Sequence, residues 1–503
     1  MSTFNSADLL PLLPALLLVA GGSVLALGEV FLAGDKPERG HQAWLAAAFS
    51  LASLVAALWG GASAPHAIFG GAAVGNGFGS FIAAVVAGAT LLASLSSAGW
   101  LKDAGAERGE FHALALFAAA GMDVLAVAND LLVLFIALEA MSLPLYALAA
   151  YRRRRRNVEA ALKYFVLGSF SSAIFLMGAA LCFGASGSTR LADIAAVAGP
   201  AVGVAPSAAA LLVLAGAALV LVGLAFKVAA VPFHMWAPDV YAGSPAPVAG
   251  FMAGAVKAAG FAALVRVLIV AFGAPFGAVK AELWAPILGG LAFLTMLGGN
   301  LLAIPQRSVK RMLAYSSISH AGYVLVAVAA AGSSLSARGA ALSAVLVYLA
   351  AYAVSVAGAF AVVAVVERGA EGDGVDDLSR FAGLARRSPF LGAAMAVFML
   401  SLGGIPPTAG FVAKLYVFRS AVDAGLVPLA VAGILTSVAG AYYYLRVIVY
   451  VFMQPPETDA APLAGTPAAV GLALALALAG VAVMGLAPDL VAAYAVASPL
   501  VAP

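Results

Sequence analysis

Fourteen stretches of this chain are apolar over the length of a bilayer crossing: about residues 9–33, 43–61, 76–98, 111–128, 131–150, 160–183, 208–231, 246–272, 283–302, 311–331, 340–366, 389–420, 427–452 and 467–487. A helix rises about 1.5 Å per residue, so roughly 20 apolar residues cross the hydrocarbon layer. No water reaches the backbone there, so every N–H and C=O must be paired inside the protein. With 64% hydrophobic and only 10% charged residues among 503, the chain has no hydrophilic segment long enough for a soluble domain. Soluble domains carry about 25% charged residues. The fold class is therefore an all-α polytopic membrane protein of about fourteen transmembrane helices. The first run has no basic segment before it and is long for a cleaved signal, so it reads as a retained span. The fourth and fifth runs nearly merge, with Asn129-Asp130 as the only turn signal. The runs leave no apolar stretch over.

Composition also removes several functions. A net charge of +3 is too small to suggest a nucleic-acid partner. The single cysteine, Cys182, excludes an internal disulfide and an iron–sulfur cluster held by this chain alone, which needs about four thiolates. The five histidines are scattered, so no metal-ligand cluster is expected. There are no convincing strands and so no strand-linked phosphate loop. The many glycines fit close helix packing instead. The partner implied by composition is the lipid bilayer. Any nucleotide, flavin or cluster belongs on another chain.

Orientation follows from the basic residues. The loops after odd-numbered runs hold Lys36, Arg39, Lys102, Arg108, Arg152 to Arg156, Arg307, Lys310, Arg311, Arg368, Arg380, Arg386 and Arg387. The loops after even-numbered runs hold only Arg190, Lys280 and Arg338. The positive-inside rule puts the first group in the cytoplasm, and an even number of spans then puts both termini outside. The five consecutive arginines read as a topology anchor, with an anionic-lipid or partner site as the sharper alternative. The mixed-charge loop from Glu367 to Ser388 reads as a solvated connector with a short amphipathic helix.

Two spans are interrupted. The seventh ends in Phe226-Lys227-Val228-Ala229-Ala230-Val231-Pro232-Phe233-His234, and the twelfth contains Gly403-Gly404-Ile405-Pro406-Pro407 before Lys414. Proline removes a helical hydrogen bond and clashes with the preceding turn. A lysine close to a proline break, once in each half, is the pattern of a transporter with inverted repeats and broken helices. The expected organisation is one membrane domain, 1–503. It divides into N-terminal helices to about 110, a first five-helix half at 111–272, an inverted second half at 283–452 and a C-terminal helix at 467–503.

Six ionisable side chains lie within or at the rim of these runs: Glu139, Lys163, Lys227, Lys257, His320 and Lys414. A charge at mid-bilayer depth costs about 2.5–3.5 kcal/mol on insertion scales. Six of them point to a protonatable path through the membrane. Each also has a plainer reading. Lys227 is the strongest site, unless it snorkels to the surface. Glu139 is a modulating partner for a lysine, or a neutral acid bonded to a carbonyl. Glu159 and Lys163, spaced i, i+4, are the entrance of such a path or a surface ion pair. Lys257 lies near the midplane, too deep to snorkel. Tyr315, Ser316, Ser319, His320 and Tyr323 draw a polar stripe along the tenth run, and histidine exchanges protons near neutral pH. Lys414 is a relay or the partner of an acid on a neighbouring subunit. Asp123 is deep as well, with Asp130 two turns on along the same face, and has no assigned role. Arg446, after three tyrosines, reads as a cation–π or interfacial anchor.

At these residues a family resemblance becomes specific. Phe226-Lys227 through Val231-Pro232-Phe233-His234-Met235-Trp236-Ala237-Pro238-Asp239-Val240-Tyr241, then Gly243-Ser244-Pro245-Ala246-Pro247-Val248, resembles the signature of the antiporter-like membrane subunits of respiratory complex I, the NADH:quinone oxidoreductase. Pro238-Asp239-Val240-Tyr241 is similar to the bacterial branch called subunit N. The sibling subunits and the Mrp-type antiporters differ there. Leu138-Glu139 with Ser142-Leu143-Pro144-Leu145-Tyr146, Arg311 through His320, and Gly404-Ile405-Pro406-Pro407 with Gly410-Phe411 and Lys414 agree. The Pro406-Pro407 pair departs from the single proline of the pattern. The resemblance implies that Glu139 and Lys227 are a charge-switching pair, Lys257 a central relay, Lys414 a distal lysine and Lys163 a further lysine of the path. It implies proton translocation coupled to electron transfer from NADH to a quinone such as ubiquinone. The bound cofactors, FMN and the iron–sulfur clusters, together with NADH and quinone, would sit on partner subunits, with none in this chain. Its partners would be the other membrane and peripheral subunits, in a bacterial inner membrane with both termini periplasmic. The alternative is a subunit of an Mrp-type cation/proton antiporter or of a related membrane-bound hydrogenase.

Overall fold

The computed structural model describes residues 6–32, 41–61, 65–198, 207–273, 284–368, 374–456 and 465–500. Thirteen of its helices are long and apolar enough to cross a membrane. The first eight spans are Leu13–Leu32, His41–Gly60, Gly77–Asp103, Gly109–Val127, Leu131–Ala149, Arg155–Ser186, Ala208–Lys227 and Ala246–Ala271. The ninth to eleventh are Trp284–Ala303, Val309–Ser333 and Arg338–Val366. The twelfth expected span is two helices, Pro389–Gly403 and Ala409–Asp423. Val427–Phe452 and Ala468–Leu486 complete the fourteen. Five spans separate the start of the fourth from the start of the ninth, so the second set of five runs opposite to the first.

The eighth, tenth and eleventh spans form the axis and are buried along nearly their whole length. Their approach depends on small residues. A Cβ placed on Gly250 of the eighth span would lie 2.8 Å from Cβ of Phe360 on the eleventh, and one on Gly254 would lie 3.4 Å from Ala353. The eighth span is also the one whose winding changes. It widens to π turns at Met252–Val256, just before Lys257, and again at Val267–Ala271, just after Arg266. Such turns occur often at functional sites.

Four expectations need correction. A two-stranded hairpin, His66–Ile68 against Ala73–Gly75, stands between the second and third spans. Three-residue strands are too short to show a period of two. Asp130 does not continue the face of Asp123. The fourth span stops at Val127, and Asp130 caps the fifth, accepting from Leu132 N at 2.8 Å and from Thr189 Oγ1 at 2.6 Å. An apolar stretch is left over after all: Pro488–Val496 is a helix that packs on the eleventh and fourteenth spans. The sixth helix runs past its apolar stretch at both ends; at its start Arg155, Arg156 and Glu159 continue it, because such charged residues propagate a helix well.

The basic loops after the third, fifth, ninth and eleventh spans meet at one end of the bundle. Arg368 Nε pairs with Asp103 at 2.6 Å, Lys310 with Glu367 at 2.7 Å, and Arg156 with Asp376 at 3.3 Å, while Arg152 lies 5.1 Å over the Trp100 ring. Arg190 is at the other end, where its backbone pairs with that of Asp130 in an isolated antiparallel β-bridge. Lys36, Arg39 and Lys280 lie outside the described residues. The connector after the eleventh span holds a 3-10 turn, Leu378–Phe381, and a one-turn helix, Leu384–Arg387.

Asp239, on the short helix Trp236–Gly243 outside the spanning helices, ties this rim together. It accepts from Lys163 at 2.8 Å and from Arg311 at 2.6 Å, and Lys163 also meets Glu159 at 2.8 Å. Burial alone would raise the Asp239 carboxyl, but the bond from Lys163 and the Arg311 charge outweigh it and hold it below the usual carboxylate range.

Two outcomes follow from this packing. Gly250→Leu forces a side chain into Phe360 and should cost about 1–3 kcal/mol, read as a lower thermal midpoint of the purified protein. Asp239→Asn should cost no more than about 1 kcal/mol, because the cluster is half-exposed. A depressed carboxyl stabilises above its unfolded value and loses that contribution as pH falls through the folded value. The gap in thermal midpoint from wild type should therefore hold from neutral pH down to about 5 and close below about 4.

Candidate functional site, a buried polar line between two helix breaks

The first break is built around Lys227, the last residue of its helix. Ala229 takes a left-handed φ of 57°, the Val231–Pro232 bond is cis, and the chain turns into Trp236–Gly243. The disturbed backbone groups find partners within the protein. Trp236 Nε1 donates to the Phe226 carbonyl at 3.0 Å, and Val231 N donates to Thr295 Oγ1 of the ninth span at 3.0 Å. The Trp236 ring stacks on Tyr164 and Phe226, with centroids 4.7 and 5.4 Å apart, and closes the site. Lys227 lies within, with Nζ 2.6 Å from Ser142 Oγ and 5.7 Å from the centre of the Tyr164 ring.

The second break is built the other way round. Pro389–Gly403 ends on Gly404, whose φ of 80° a side chain would resist, and the Pro406–Pro407 bond is cis. The carbonyls left open at the helix end point at Lys414, one turn into the continuing helix. Its Nζ donates to Gly403 O at 2.8 Å, Leu402 O at 3.1 Å and Ser437 Oγ at 2.8 Å. A cation at a helix C-terminus is also favoured by the macrodipole. Gly404 has to be a glycine for a second reason: a Cβ there would lie 3.0 Å from this Nζ.

Between the breaks lie Lys257 and His320. Lys257 donates to the Ser317 carbonyl of the tenth span. A Cβ placed on Gly260, one turn further along the eighth span, would lie 3.7 Å from Lys227 Cβ, so the two lysines stand on adjoining helices. His320 has a phenol at each ring nitrogen: Tyr348 at 2.6 Å from Nδ1 and Tyr444 at 3.1 Å from Nε2. The Tyr444 hydroxyl is also bonded to Ser316 Oγ. His320 lies within electrostatic reach of both Lys257 and Lys414. Beyond it, Tyr323 receives the Asn300 amide at 2.9 Å and turns its ring to Lys414, 5.3 Å away. Lys227, Lys257, His320 and Lys414 are 2, 3, 4 and 7% exposed, so the line is sealed from solvent and lipid.

The structure thus gathers four of the six expected residues into one line and sets two apart. Glu139 sits one turn before Ser142 on the fifth span, partly exposed on the outer surface of the chain. Its Oε1 accepts from Ser172 Oγ at 2.5 Å. It acts on Lys227 through space, without a direct contact. Lys163 is half-exposed in the rim cluster with Glu159 and Asp239, the surface pairing that its spacing allowed. Of the tenth-span stripe, Ser316, His320 and Tyr323 face the line, while Ser319 turns back to its own Tyr315 carbonyl at 3.2 Å. Arg446 lies 5.8 Å over the Tyr442 ring and also donates to Ile304 O and Gln306 O at 2.8 and 2.6 Å, closing the C-terminal end of the ninth span.

Several groups escaped the sequence reading. Tyr348, Tyr352 and Tyr444 complete the shell of His320, and their spacing on two helices was visible without indicating what they face. Arg266 is fully buried near the end of the eighth span. It donates to the Ala126 carbonyl at 2.7 Å and stands 3.4 Å from Asn76 Oδ1, the residue whose amide holds Leu500 O at 2.8 Å. Its place within an apolar run was the missed signal.

Comparison with known proteins agrees with this arrangement. The family described as "NADH:quinone oxidoreductase/Mrp antiporter, TM" matches residues 128–440, which include both breaks and the whole line. NADH-quinone oxidoreductase subunit N of Myxococcus xanthus (strain DK1622) is 50% identical, over 97% of this chain and 96% of that protein. Subunit N 1 of Sorangium cellulosum (strain So ce56) is 44% identical, over 89% of each. A chain of respiratory complex I from Thermus thermophilus with bound aureothin superposes with a TM-score of 0.77 at 37% identity, over 97% of this chain and all of that one. A chain of the Mrp complex from Dietzia sp. DQ12-45-1b has a TM-score of 0.81 at 24% identity, covering 98 and 97% of the two chains, which is a likeness of fold. With relatives of 50 and 44% identity over most of both chains, and the fold of a complex I chain along its length, this protein belongs to the NADH-quinone oxidoreductase subunit N family.

Proposed function

We propose that this chain is a proton-translocating membrane subunit of NADH:quinone oxidoreductase, carrying protons through the line Lys227, Lys257, His320 and Lys414 while electrons pass from NADH to quinone in other subunits. The observation that carries the reading is the bonding of the three lysines. Each is sealed from solvent, and each donates to neutral oxygen: Ser142 Oγ, Ser317 O, or Leu402 O with Gly403 O and Ser437 Oγ. A lysine in a tight buried ion pair keeps its proton, whereas one on neutral acceptors is free to give it up. His320 links the two halves of the line, taking a proton at one nitrogen and releasing it at the other.

Glu139 modulates the first lysine through space, and Lys163 with Asp239 marks the cytoplasmic rim. NADH, FMN, the iron–sulfur clusters and quinone belong to partner subunits, a division supported by the single cysteine. The line spans two inverted halves, 111–272 and 283–452, flanked by N-terminal helices 1–110 and a C-terminal part 467–503. The basic loops gathered at one end support a cytoplasmic rim there, with both termini on the periplasmic side of a bacterial inner membrane.

Two substitutions test the reading in the assembled complex. Glu139→Gln keeps volume and loses charge, so assembly should survive while quinone-coupled proton uptake falls several-fold. Uptake equal to wild type would remove Glu139 from the mechanism. Lys257→Arg keeps the charge but effectively never releases its proton. A relay role predicts that proton uptake into vesicles fails with arginine, at least tenfold below wild type. Near-normal uptake would reduce Lys257 to a fixed charge and leave the line without its centre.

A further inference from the structure

Ser142 and Ser172 each hold one member of the Glu139–Lys227 pair, and neither belongs to the line itself. Ser142 is fully buried on the fifth span, and its hydroxyl hydrogen goes to the Leu138 carbonyl one turn back. Its lone pairs are therefore turned to Lys227 Nζ, 2.6 Å away. Ser172, on the sixth span, donates to Glu139 Oε1 at 2.5 Å. The lysine thus rests on an acceptor and the glutamate on a donor, both neutral. Glu139 and Ser142 are three residues apart on one helix, so the acid and the hydroxyl lie on one face, about one turn apart.

We propose that Ser142 and Ser172 are the positioning residues that hold Lys227 and Glu139 apart, giving the pair a second, separated arrangement in which neither group is left bare. The inference rests on the proposed role of Lys227 in the proton path. Its physical content is competition. Two opposite charges in a medium of low dielectric attract strongly, and a separated state survives only if each finds a hydrogen-bond partner of its own. Tyr164, whose ring faces Nζ at 5.7 Å, stabilises the ammonium in the same position. Without Ser142 the ammonium loses its hydroxyl acceptor and turns to Glu139, and without Ser172 the acid loses its donor and turns to Lys227. Either loss collapses the pair into direct contact and pins the lysine's proton.

The experiment uses the intact complex in vesicles and reads proton uptake per electron, together with the infrared bands of the Glu139 carboxyl, identified by their absence in Glu139→Gln. Ser142→Ala should lower uptake per electron at least fivefold and shift the Glu139 bands, although the Ser142 hydroxyl makes no hydrogen bond to the Glu139 carboxyl. Ser172→Ala should shift the same bands and lower uptake in the same direction. Ser142→Thr, which keeps the hydroxyl, should restore uptake to within about twofold of wild type. Loss of uptake in Ser142→Ala with unmoved Glu139 bands would mean a packing role and overturn the inference. So would failure of the threonine variant in an assembled complex. If Lys227→Ala itself pumps normally, the proposed function fails first. If Lys227→Ala is inactive while Ser142→Ala and Ser172→Ala pump like wild type, this inference alone fails.

Discussion

An ammonium group at membrane depth must be given oxygen, and this chain gives it by interrupting helices. A continuous helix consumes its own carbonyls, whereas an interrupted one leaves the last of them open. At the second break those carbonyls, on Leu402 and Gly403, face Lys414 directly. At the first, Lys227 ends the helix and reaches across to a hydroxyl, while Trp236 takes the Phe226 carbonyl. Lys257 has no break beside it. A π turn loosens its helix one step earlier, and it borrows a carbonyl from the tenth span. The prolines, the Gly404 turn and the sealing aromatic stack all serve this one need.

The same constraint sorts the polar residues by depth. At the rim, cations meet carboxylates: Lys163 with Asp239 and Glu159, Lys310 with Glu367, and Arg368 with Asp103. Along the buried line no lysine has a direct carboxylate partner among the described residues, and the nearest acid, Glu139, is turned away to Ser172. The half-exposed pairs of Lys163 fix the rim at little energetic cost, whereas Lys310 and Glu367 form a buried pair. In the interior a pair held in contact would bind its proton too firmly for a carrier. The two kinds of bonding separate the half-exposed Lys163 cluster from the buried line, as the proposed path requires.

Most of the architecture was legible because hydrophobic length is a strong and local signal. All fourteen spans stand where apolar runs predicted them, and both interruptions coincide with prolines next to lysines. The errors have physical causes. Asn129-Asp130 marked the turn between the fourth and fifth runs, but the shared face expected of Asp123 and Asp130 fails, because the helix stops at Val127 and Asp130 caps the next one. The hairpin at His66–Ile68 is too short for its period to show. Within the site, the ionisable residues stood out because charge is rare in such sequence, and Lys227, Lys257, His320 and Lys414 meet as their depth suggested. Their partners did not stand out. Serines 142, 172 and 437 and tyrosines 348 and 444 are ordinary residues of membrane helices, and only packing between distant helices shows that they face the line. Arg266 and Lys310 show the reverse failure, rare charges that were visible and passed over because each sits near the end of a run.

The place of His320 follows from these bonds. A lysine moves a proton only by changing its own charge, so two lysines in sequence repel when both are loaded. A histidine between them avoids that conflict, because neutral imidazole carries one proton and one vacant nitrogen. Here the two nitrogens face different phenols, Tyr348 and Tyr444, and the second of these continues to Ser316. The Tyr444 hydroxyl has two partners, His320 Nε2 and Ser316 Oγ, so it can accept from one and donate to the other. Lys257 and Lys414 both act on this imidazole electrostatically. In the proposed path, a charge on either lysine would oppose a second charge on His320.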